Sequence, residues 1–501
     1  MNLEFGLFFR LTVGLGLSFA VTALLRPSIP VPWRWAWQGA TLHAGLWLIL
    51  NALLVLVLGR PWFALAIELA FLMLLVQVSN AKFQSLREAF VFQDFEYFTD
   101  AIRHPRLYIP FLGWWKFAVV AVAVVAALGI GLWLEATPAG RFSLHGQLGE
   151  ALALLGAGAV LVFVSKGGPA MVFEPAADMR QLGFLGSLWR YGWAEQSPLN
   201  LPSQLPDALS LPVERPDLVV VQSESFFDPR PLFSGIRNDV LAEFDCLNAE
   251  ALSHGRLAVP AWGANTVRSE FAFLAGATEA QLGVHRFNPY RQILKSEVIS
   301  LASILKKAGY RTICVHPYPA SFYRRDKVYP HLGFDEFIDI RSFAGAERSG
   351  PYVADLVVAE KIKSLLATAS EPLFVFVITM ENHGPLHLEK PAAEDYPTFY
   401  STNPPTGCDD LTVYLRHLKN ADRMAGTLRK FLAEHVRPTF FCWYGDHVPI
   451  MTKVFQQLGD PDGATEYFIW SNRQFEKKPA EMISLHSLGS DLLETMATIS
   501  R

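Results

Sequence analysis

The feature that most constrains this chain is a series of long apolar stretches confined to its first third. A bilayer-spanning helix needs roughly 20 mostly apolar residues. Five stretches reach or approach that length: Phe5–Leu25, Thr41–Leu58, Trp62–Val78, Phe111–Leu134 and Ala151–Val164. Several such runs in series are untypical of a soluble protein, so the sequence predicts a polytopic α-helical membrane domain of about five transmembrane helices over residues 1–166.

Aromatic and charged residues add detail to this membrane domain. Two ionisable residues, Arg10 and Glu68, lie within the apolar stretches, where a charge is costly unless it is paired or solvated. They are candidates to pair with each other, and Glu68 is alternatively a functional residue of the membrane domain. Tryptophans lie near the ends of the stretches, as they do in interfacial belts: Trp33, Trp35, Trp37, Trp62, Trp114 and Trp115.

The loop Asn80–Pro110 bears on the orientation of the chain. It carries several basic residues, which by the positive-inside rule would place it, and the C-terminal half two spans later, in the cytoplasm. The same loop alternates aromatic and acidic residues, a pattern typical of an amphipathic element on the membrane surface. The sequence leaves both interpretations open.

A second composition change separates the membrane domain from the rest of the chain. Residues 167–215 are rich in Pro, Gly, Ser and Leu, as in "EQSPLNLPSQLPDALSLPVERP". This composition predicts an irregular linker, followed by a globular domain over residues 216–501.

Charge and cysteine content restrict partners and chemistry. The formal net charge is −4 and no long basic run occurs, so nucleic acid is not an expected partner. The four cysteines lack metal-ligand spacing, and Cys314 and Cys442 lie within apolar strand-like runs, so buried free thiols are the expectation. A Cys246–Cys408 disulfide is the alternative if the domain faces an oxidising compartment.

The globular domain alternates short apolar runs with helical patterns. Continuous apolar runs of this length are typical of parallel strands covered on both faces, so the domain is predicted to be a layered α/β fold. The four runs are "DLVVVQSES", "RTICVHP", "LFVFVITMENHGP" and "TFFCWYGDH".

Polar side chains follow each of these four strands. A lone His or Asp after a strand is usually a turn residue, but ligands collect beyond the carboxyl ends of parallel strands, so four such endings favour one shared site. Two carboxylates and an imidazole suit a divalent metal with mixed oxygen and nitrogen ligands. The polar side chains that follow the four strands are, in chain order, Glu224, His316, His383, Asp446 and His447.

Thr266 lies between a Gly-Ala-Asn turn and a run with helical apolar spacing, in "GANTVRSEF". By itself it would be interpreted as a helix N-cap. Beside Glu224, Asp446 and His447 its hydroxyl would instead be a fourth metal ligand and, with a lowered pKa, a nucleophile. The small preceding residues would let a metal and a phosphate approach the backbone closely, and the helix start would present free N–H groups to an anion.

Three further residues suit a phosphoryl group. His316, Arg325 and His383 are candidates to contact phosphoryl oxygens, since Arg can bind an anion with two parallel hydrogen bonds. One of the histidines is a candidate general acid or base.

Five motifs in this order, "SESFFD", "NTVRSEF", "HPYPASFYRRD", "ENHGP" and "YGDH", resemble those of the lipoteichoic acid synthase and phosphoglycerol transferase family. These are membrane-anchored, sulfatase-like enzymes of the alkaline phosphatase superfamily. The resemblance spans nearly the whole chain. It implies a sulfatase-like C-terminal domain with a central, mostly parallel sheet, on the periplasmic or extracellular side of the plasma membrane.

The resemblance also implies roles for individual residues. Thr266 is the nucleophile and, with Glu224, Asp446 and His447, a ligand of one divalent metal, usually Mn2+ in the family, with Zn2+ and Mg2+ also compatible. His383 is implied to be both substrate-binding and catalytic. Tyr323 stands where many lipoteichoic acid synthases have Trp, which leaves the headgroup open. The residues implied to bind the glycerol phosphate are His316, Phe322, Tyr323, Arg325 and His383.

The function implied is transfer of a phosphoglycerol group from phosphatidylglycerol, through a covalent Thr intermediate, to a cell-envelope glycan or polyglycerol phosphate. The alternatives are a phosphoethanolamine transferase, or a phosphodiesterase or sulfatase-type hydrolase on the same site. "TVRSE" lacks the Cys/Ser-x-Pro-x-Arg pattern of sulfatase nucleophiles. A membrane sensor with a degenerate site is a non-enzymatic alternative. It is disfavoured because every expected ligand position holds a residue that can bind a metal.

Overall fold

The computed structural model describes residues 2–96, 98, 114–135, 144–202, 204–206 and 215–498. The chain divides into two compact units, Met1–Ser197 and Pro198–Arg501. Several predicted features lie outside the described residues: most of the loop Asn80–Pro110 after residue 96, the first residues of the stretch Phe111–Leu134, the side chains of Trp114 and Trp115, and linker residues 203 and 207–214.

The first unit is helical, as the apolar stretches predict. Within the described residues, three helices are long and apolar enough to cross a membrane: Trp37–Leu58, Pro61–Leu86 and Gly146–Gly167. Gly6–Thr22 and Val125–Leu134 are shorter apolar helices, so the number of passes stays a prediction. The described helices are α1 (Asn2–Thr22), α2 (Trp37–Leu58), α3 (Pro61–Leu86), α4 (Trp114–Leu134), α5 (Leu144–Val164) and α6 (Pro175–Ala194).

Small residues let α2 and α5 approach closely. A Cβ atom on Gly158 would lie 2.7 Å from the carbonyl oxygen of Gly45, and one on Gly45 would lie 2.9 Å from that of Gly158. Such contacts between small residues are how apolar helices pack tightly in a bilayer, where the hydrophobic effect does not drive them together.

Arg10 and Glu68 each have a polar partner in this unit, but they do not pair with each other. Arg10 is 5% exposed and forms an ion pair with Glu150, not with Glu68. Glu68 instead accepts a hydrogen bond of 2.9 Å from the side-chain amide of Asn51, which ties α2 to α3. The pairing reduces the cost of burying these groups in an apolar environment.

The expectation of an irregular linker over residues 167–215 is wrong for its first part, because α6 occupies Pro175–Ala194. The helix begins with Pro at its first position, and it buries apolar side chains that include Met179, Leu182 and Leu188. Gly183, at φ 68°, interrupts it where a Cβ would lie 2.2 Å from the ring of Trp35. The glycines in this segment made the helical spacing of its apolar residues difficult to recognise in the sequence.

The second unit is built on an eight-stranded sheet of order β10-β2-β9-β8-β1-β7-β3-β4. The strands from β8 to β4 pair in parallel, as do β2 and β10, whereas β9 is antiparallel to both neighbours. The strands are β1 (Asp217–Ser223), β2 (Ser253–Ala258), β3 (Arg311–Val315), β4 (Glu336–Ile338), the hairpin β5 (Arg348–Ser349) and β6 (Tyr352–Val353), β7 (Leu373–Ile378), β8 (Thr439–Gly445), β9 (Thr465–Ser471) and β10 (Glu481–Ser484).

Helices cover both faces of this sheet. The helices are α7 (Ala242–Glu250), α8 (Thr266–Ala275), α9 (Glu279–Leu282), α10 (Tyr290–Ile293), α11 (Leu301–Lys307), α12 (Arg325–His331), α13 (Asp355–Thr368), α14 (Asp395–Phe399), α15 (Asp409–Glu434), α16 (Thr452–Leu458) and α17 (Leu485–Thr498). Val219 and Val221 of β1 belong to the core under α13 and α15. Leu218 and Val220 belong to the opposite core, under α8, α11 and α17. Both sides of the strand are buried, which explains its unbroken apolar sequence.

Candidate active site

Three ligand-type side chains meet beyond the carboxyl ends of β1 and β8. Glu224 follows β1, whereas Asp446 and His447 follow β8, its neighbour in the sheet. Ligand atoms of the three residues lie within 4.8 Å of one another, and all three residues are buried. His447 Nε2 is 3.6 Å from Glu224 Oε1 and 3.5 Å from Asp446 Oδ2.

Hydrogen bonding shows that this cluster fits a cation. His447 Nδ1 donates to the Val448 carbonyl oxygen at 3.0 Å, so its Nε2 carries a lone pair. Among the described residues, Nε2 and Asp446 Oδ2 are buried without a hydrogen-bond partner. Lone pairs facing one another in a buried space are unfavourable, and a divalent cation would satisfy them all.

The pKa shifts of the two carboxylates also indicate a site suited to a cation. Burial and the neighbouring Asp446 raise the pKa of Glu224, and burial raises the pKa of Asp446. A cation in their midst would reverse both shifts, because it favours the ionised form. Glu224, Asp446 and His447 therefore form a chemically suitable set of metal ligands.

Ser225, which the sequence analysis did not single out, holds two members of the cluster. Its N–H donates to Asp446 Oδ1 at 2.8 Å, and its hydroxyl donates to Glu224 Oε1 at 2.9 Å. It adopts a positive φ of 51°, unusual for a residue other than Gly or Asn. Its place inside "SESFFD" was the only signal in the sequence.

Thr266 is the first residue of α8, and the cap position before it is taken by Asn265, at φ 68°. The interpretation of Thr266 as an N-cap is therefore wrong. One turn into α8, the Ser269 hydroxyl donates to the backbone carbonyl of Asp446 at 2.7 Å. Before the helix, the Gly263 N–H donates to the Val448 carbonyl at 3.0 Å. These bonds attach the segment carrying Thr266 to the segment carrying the ligands Asp446 and His447.

Arg325 is buried at 1% exposure and bonds to two neighbouring side chains. Its Nε donates to Glu270 Oε2 at 3.1 Å, and its Nη2 pairs with Glu270 Oε1. Its Nη1 donates to His316 Nε2 at 3.3 Å. The structure thus brings together the predicted residues Arg325 and His316, and adds Glu270, which the sequence analysis quoted only as part of a motif.

His316 is held as a neutral imidazole. Its Nδ1 donates to the Ile378 carbonyl at 3.0 Å, which leaves Nε2 to accept from Arg325. Burial and the positive charge of Arg325 both lower the pKa of His316. In this arrangement His316 orients Arg325.

Phe322 and Tyr323 lie beside Arg325, with their rings tilted by 47°. Their ring centroids are 4.3 Å apart, and the Arg325 guanidinium carbon lies 5.1 Å from the Tyr323 ring. Tyr323 has a φ of 54° within the turn that precedes α12. The predicted aromatic pair therefore flanks the cationic side chain, as a cation–π arrangement requires.

His383 lies beyond β7, near Asp446 and Arg325, both of which influence its pKa. Burial lowers that pKa, so the imidazole is neutral. Its Nδ1 donates to the Gly384 carbonyl at 2.6 Å and lies 3.1 Å from the Tyr352 hydroxyl. Its Nε2 is therefore the atom that can accept or return a proton.

A buried polar network that the sequence did not reveal supports the segment carrying His383. Glu381 accepts from the Asp355 N–H at 2.8 Å and from the side-chain amide of Asn420 at 2.5 Å. His417 lies 3.2 Å from Glu381 Oε1 and 3.0 Å from Glu389 Oε1. The members come from separate loops and helices, so no spacing in the sequence connects them.

Comparison with known proteins identifies a family for the C-terminal part of the chain. The family model described as Sulfatase matches residues 216–499, which contain every candidate ligand. The chain is 29% identical over 439 residues to the capsular polysaccharide biosynthesis protein RkpI of Rhizobium meliloti (strain 1021), a match covering 82% of this chain and 77% of that protein.

Two solved structures are similar to the chain. The integral membrane protein lipooligosaccharide phosphoethanolamine transferase A (EptA) from Neisseria meningitidis matches 87% of this chain and 88% of its own, at 13% identity and a TM-score of 0.53. The phosphoglycerol transferase GacH of Streptococcus pyogenes, in complex with sn-glycerol-1-phosphate, matches 57% of this chain and 76% of its own, at 25% identity and a TM-score of 0.48. The likeness to EptA shows a shared fold, a helical N-terminal region followed by a sulfatase-like unit, and confirms the predicted fold class.

Proposed function

This chain belongs to the Sulfatase family, and we propose that it is a membrane-anchored, metal-dependent transferase that moves phosphoglycerol from phosphatidylglycerol to a cell-envelope glycan or polyglycerol phosphate. The observation that carries the proposal is the buried cluster Glu224, Asp446 and His447, whose unpartnered atoms fit a cation, tied by Ser269 to the helix that begins with Thr266. The name of the relative RkpI, a capsular polysaccharide biosynthesis protein, supports a glycan as acceptor.

A divalent metal, most consistent with Mn2+ by family resemblance, would be held by Glu224, Asp446, His447 and the Thr266 hydroxyl, where it supplies positive charge that lowers the pKa of that hydroxyl. The Thr266 hydroxyl gives its proton to the neutral His383 Nε2, and Thr266 Oγ1 attacks the phosphorus of the lipid donor. The bond from phosphorus to the diacylglycerol oxygen breaks, and protonated His383 gives its proton to that oxygen. The product is a phosphoglycerol group on Thr266.

The second half of the reaction reverses these roles. An acceptor hydroxyl enters where diacylglycerol left and loses its proton to His383 Nε2 as it attacks phosphorus. The bond to Thr266 breaks, which restores the Thr alkoxide and the protonated histidine. Arg325, flanked by Phe322 and Tyr323, would bind the phosphoryl oxygens, and the backbone N–H groups at the start of α8 would add to that binding.

Product analysis tests the proposal. Purified enzyme with Mn2+ would be incubated with phosphatidylglycerol or phosphatidylethanolamine, with and without cell-envelope glycans, and products identified by mass spectrometry. We expect phosphoglycerol-modified glycan and diacylglycerol from phosphatidylglycerol. Glycerol phosphate as the sole product would mean a hydrolase, and turnover of phosphatidylethanolamine alone would mean the phosphoethanolamine alternative.

The Thr266→Ala variant tests the nucleophile. We expect turnover to fall by roughly 10⁴-fold or more, since loss of an attacking group removes the covalent route. Thr266→Ser retains a hydroxyl and should keep measurable activity. Unchanged turnover in Thr266→Ala would contradict the mechanism.

A further inference from the structure

We propose that Glu270 is the positioning residue of the site: it fixes the Arg325 guanidinium and, through α8, sets its distance from Thr266. The inference rests on the proposed function, in which Arg325 binds the phosphoryl group. Glu270 itself touches neither substrate nor metal ligands and acts only through Arg325.

The surroundings of Glu270 suit a residue that orients the Arg325 guanidinium and takes no part in the reaction itself. Its side chain is fully buried, at 0% exposure, and it accepts hydrogen bonds from the Tyr290 hydroxyl at 2.7 Å and the Tyr329 hydroxyl at 2.6 Å. With Arg325, these donors come from two helices, α10 and α12. A carboxylate bonded in this way keeps one orientation, and it also offsets the cost of burying the Arg325 charge.

The contacts with Glu270 and His316 determine which N–H groups of Arg325 remain for a ligand. Glu270 occupies the edge formed by Nε and Nη2, and His316 takes one hydrogen of Nη1. Guanidinium is planar and has five N–H donors, so one further hydrogen on each Nη atom is left. These two hydrogens are available to phosphoryl oxygens.

Helix α8 connects the residue that holds Arg325 to the nucleophile. Thr266 and Glu270 are four residues apart, so they lie on one face about 6 Å apart along the helix axis. Between them in sequence, Ser269 bonds the Asp446 carbonyl. One turn of α8 therefore carries three residues of the site: the nucleophile Thr266, Ser269, which bonds to the metal-ligand segment, and Glu270, which binds Arg325.

Chemical rescue tests the proposal. Arg325→Ala should lower kcat/KM by about 100-fold, and added methylguanidinium should restore at least about tenfold of that loss because Glu270 binds it in the vacated space. In the double variant Arg325→Ala/Glu270→Gln the same additive should restore less than about twofold. Equal rescue in both variants would overturn the proposal. A Glu270 with only a structural role would give the same rescue whether or not its carboxylate is present.

Binding provides a second readout that does not depend on turnover. Calorimetry with glycerol phosphate on the Mn2+-loaded full-length protein should show weaker binding in Glu270→Gln, with Mn2+ affinity unchanged. Asp422→Asn removes another buried carboxylate, which accepts from the Phe244 N–H, and serves as the matched control with normal binding. Equal glycerol phosphate affinity in wild type and Glu270→Gln would refute the positioning role. Inactivity of the wild type on both lipids would count against the proposed function only.

Discussion

Three histidines of the site share one detail that fixes their chemistry. His316, His383 and His447 each donate Nδ1–H to a backbone carbonyl, of Ile378, Gly384 and Val448 respectively. Each Nε2 is thereby left as a lone-pair atom, facing Arg325 in the first case and the two carboxylates in the third. The tautomer of a histidine follows from the bond on its other nitrogen, so backbone geometry beyond the strand ends determines what each imidazole can do.

The metal assignment makes a prediction at single residues. Asp446→Ala and Glu224→Ala should each lower bound Mn2+ in the purified protein to a small fraction of the wild-type content, because each removes an oxygen ligand. Metal content would be measured by mass spectrometry of the ions released from equal amounts of folded protein. Asp422→Asn should retain normal content, and normal occupancy in the ligand variants would refute the assignment.

His417 predicts how stability depends on pH. Burial by itself would lower the pKa of His417, but the hydrogen bonds with Glu381 and Glu389 raise it to about 9. The folded pKa exceeds the unfolded value of about 6.5, so the stabilisation is complete below pH 6.5 and is lost as the pH rises through 9. It amounts to at most about 3 kcal/mol.

The measurement is the melting temperature of the full-length protein between pH 6 and 10. The advantage of wild type over His417→Gln should shrink steadily above pH 7. The exposed His331 offers a control, since His331→Gln should follow the wild-type curve. A constant gap between wild type and His417→Gln would contradict the prediction.

At the level of elements, unbroken apolar runs predicted the strands correctly. β1, β3, β7 and β8 lie side by side and end in the residues that the sequence placed there, because parallel strands bring their carboxyl ends to one edge. The partners of those residues were not predictable. Glu270 and Arg325 are 55 positions apart, and Glu381 and His417 are 36 apart, and only the folded helices bring such pairs together.

Helix α6 shows the opposite case. Its segment contains three glycines and follows a Gly- and Pro-rich stretch, which favoured a linker. The apolar face of Met179, Leu182 and Leu188 nonetheless finds a core to pack against, and tertiary packing outweighs glycine's unfavourable helix propensity. The second half of the predicted linker, from 195 to 215, lies largely without regular structure where it is described.

The close contact of α2 with α5 provides an element-scale prediction. Gly158→Leu should lower the melting temperature of the detergent-solubilised protein, because its side chain would meet the backbone of Gly45. Gly156, two residues earlier in α5, has no atom within 4 Å of an added Cβ, so Gly156→Leu is the matched control. Similar melting temperatures for the two variants would argue against the helix pairing.

For the whole molecule, charge and family resemblance disagree about orientation. The basic residues of the loop Asn80–Pro110 favour a cytoplasmic location for that loop, whereas the proposed lipid and glycan substrates require the catalytic unit outside the cytoplasm. Part of the basic charge is neutralised locally: Lys82 pairs with Glu88 and Asp94, each at 2.6 Å. The positive-inside rule counts Lys and Arg and gives little weight to acidic residues, so this pairing does not remove the disagreement.

Cysteine labelling can decide the orientation. All four cysteines are free; Cys246, on α7, is exposed, whereas Cys314, Cys408 and Cys442 are buried, so the alternative disulfide between Cys246 and Cys408 is not formed. A membrane-impermeant maleimide should therefore label wild-type protein at Cys246 in intact spheroplasts if the catalytic unit is extracytoplasmic. Cys246→Ser should remain unlabelled under the same conditions. Labelling of the wild type only after the membrane is permeabilised would place the catalytic unit in the cytoplasm, away from the acceptors proposed for it.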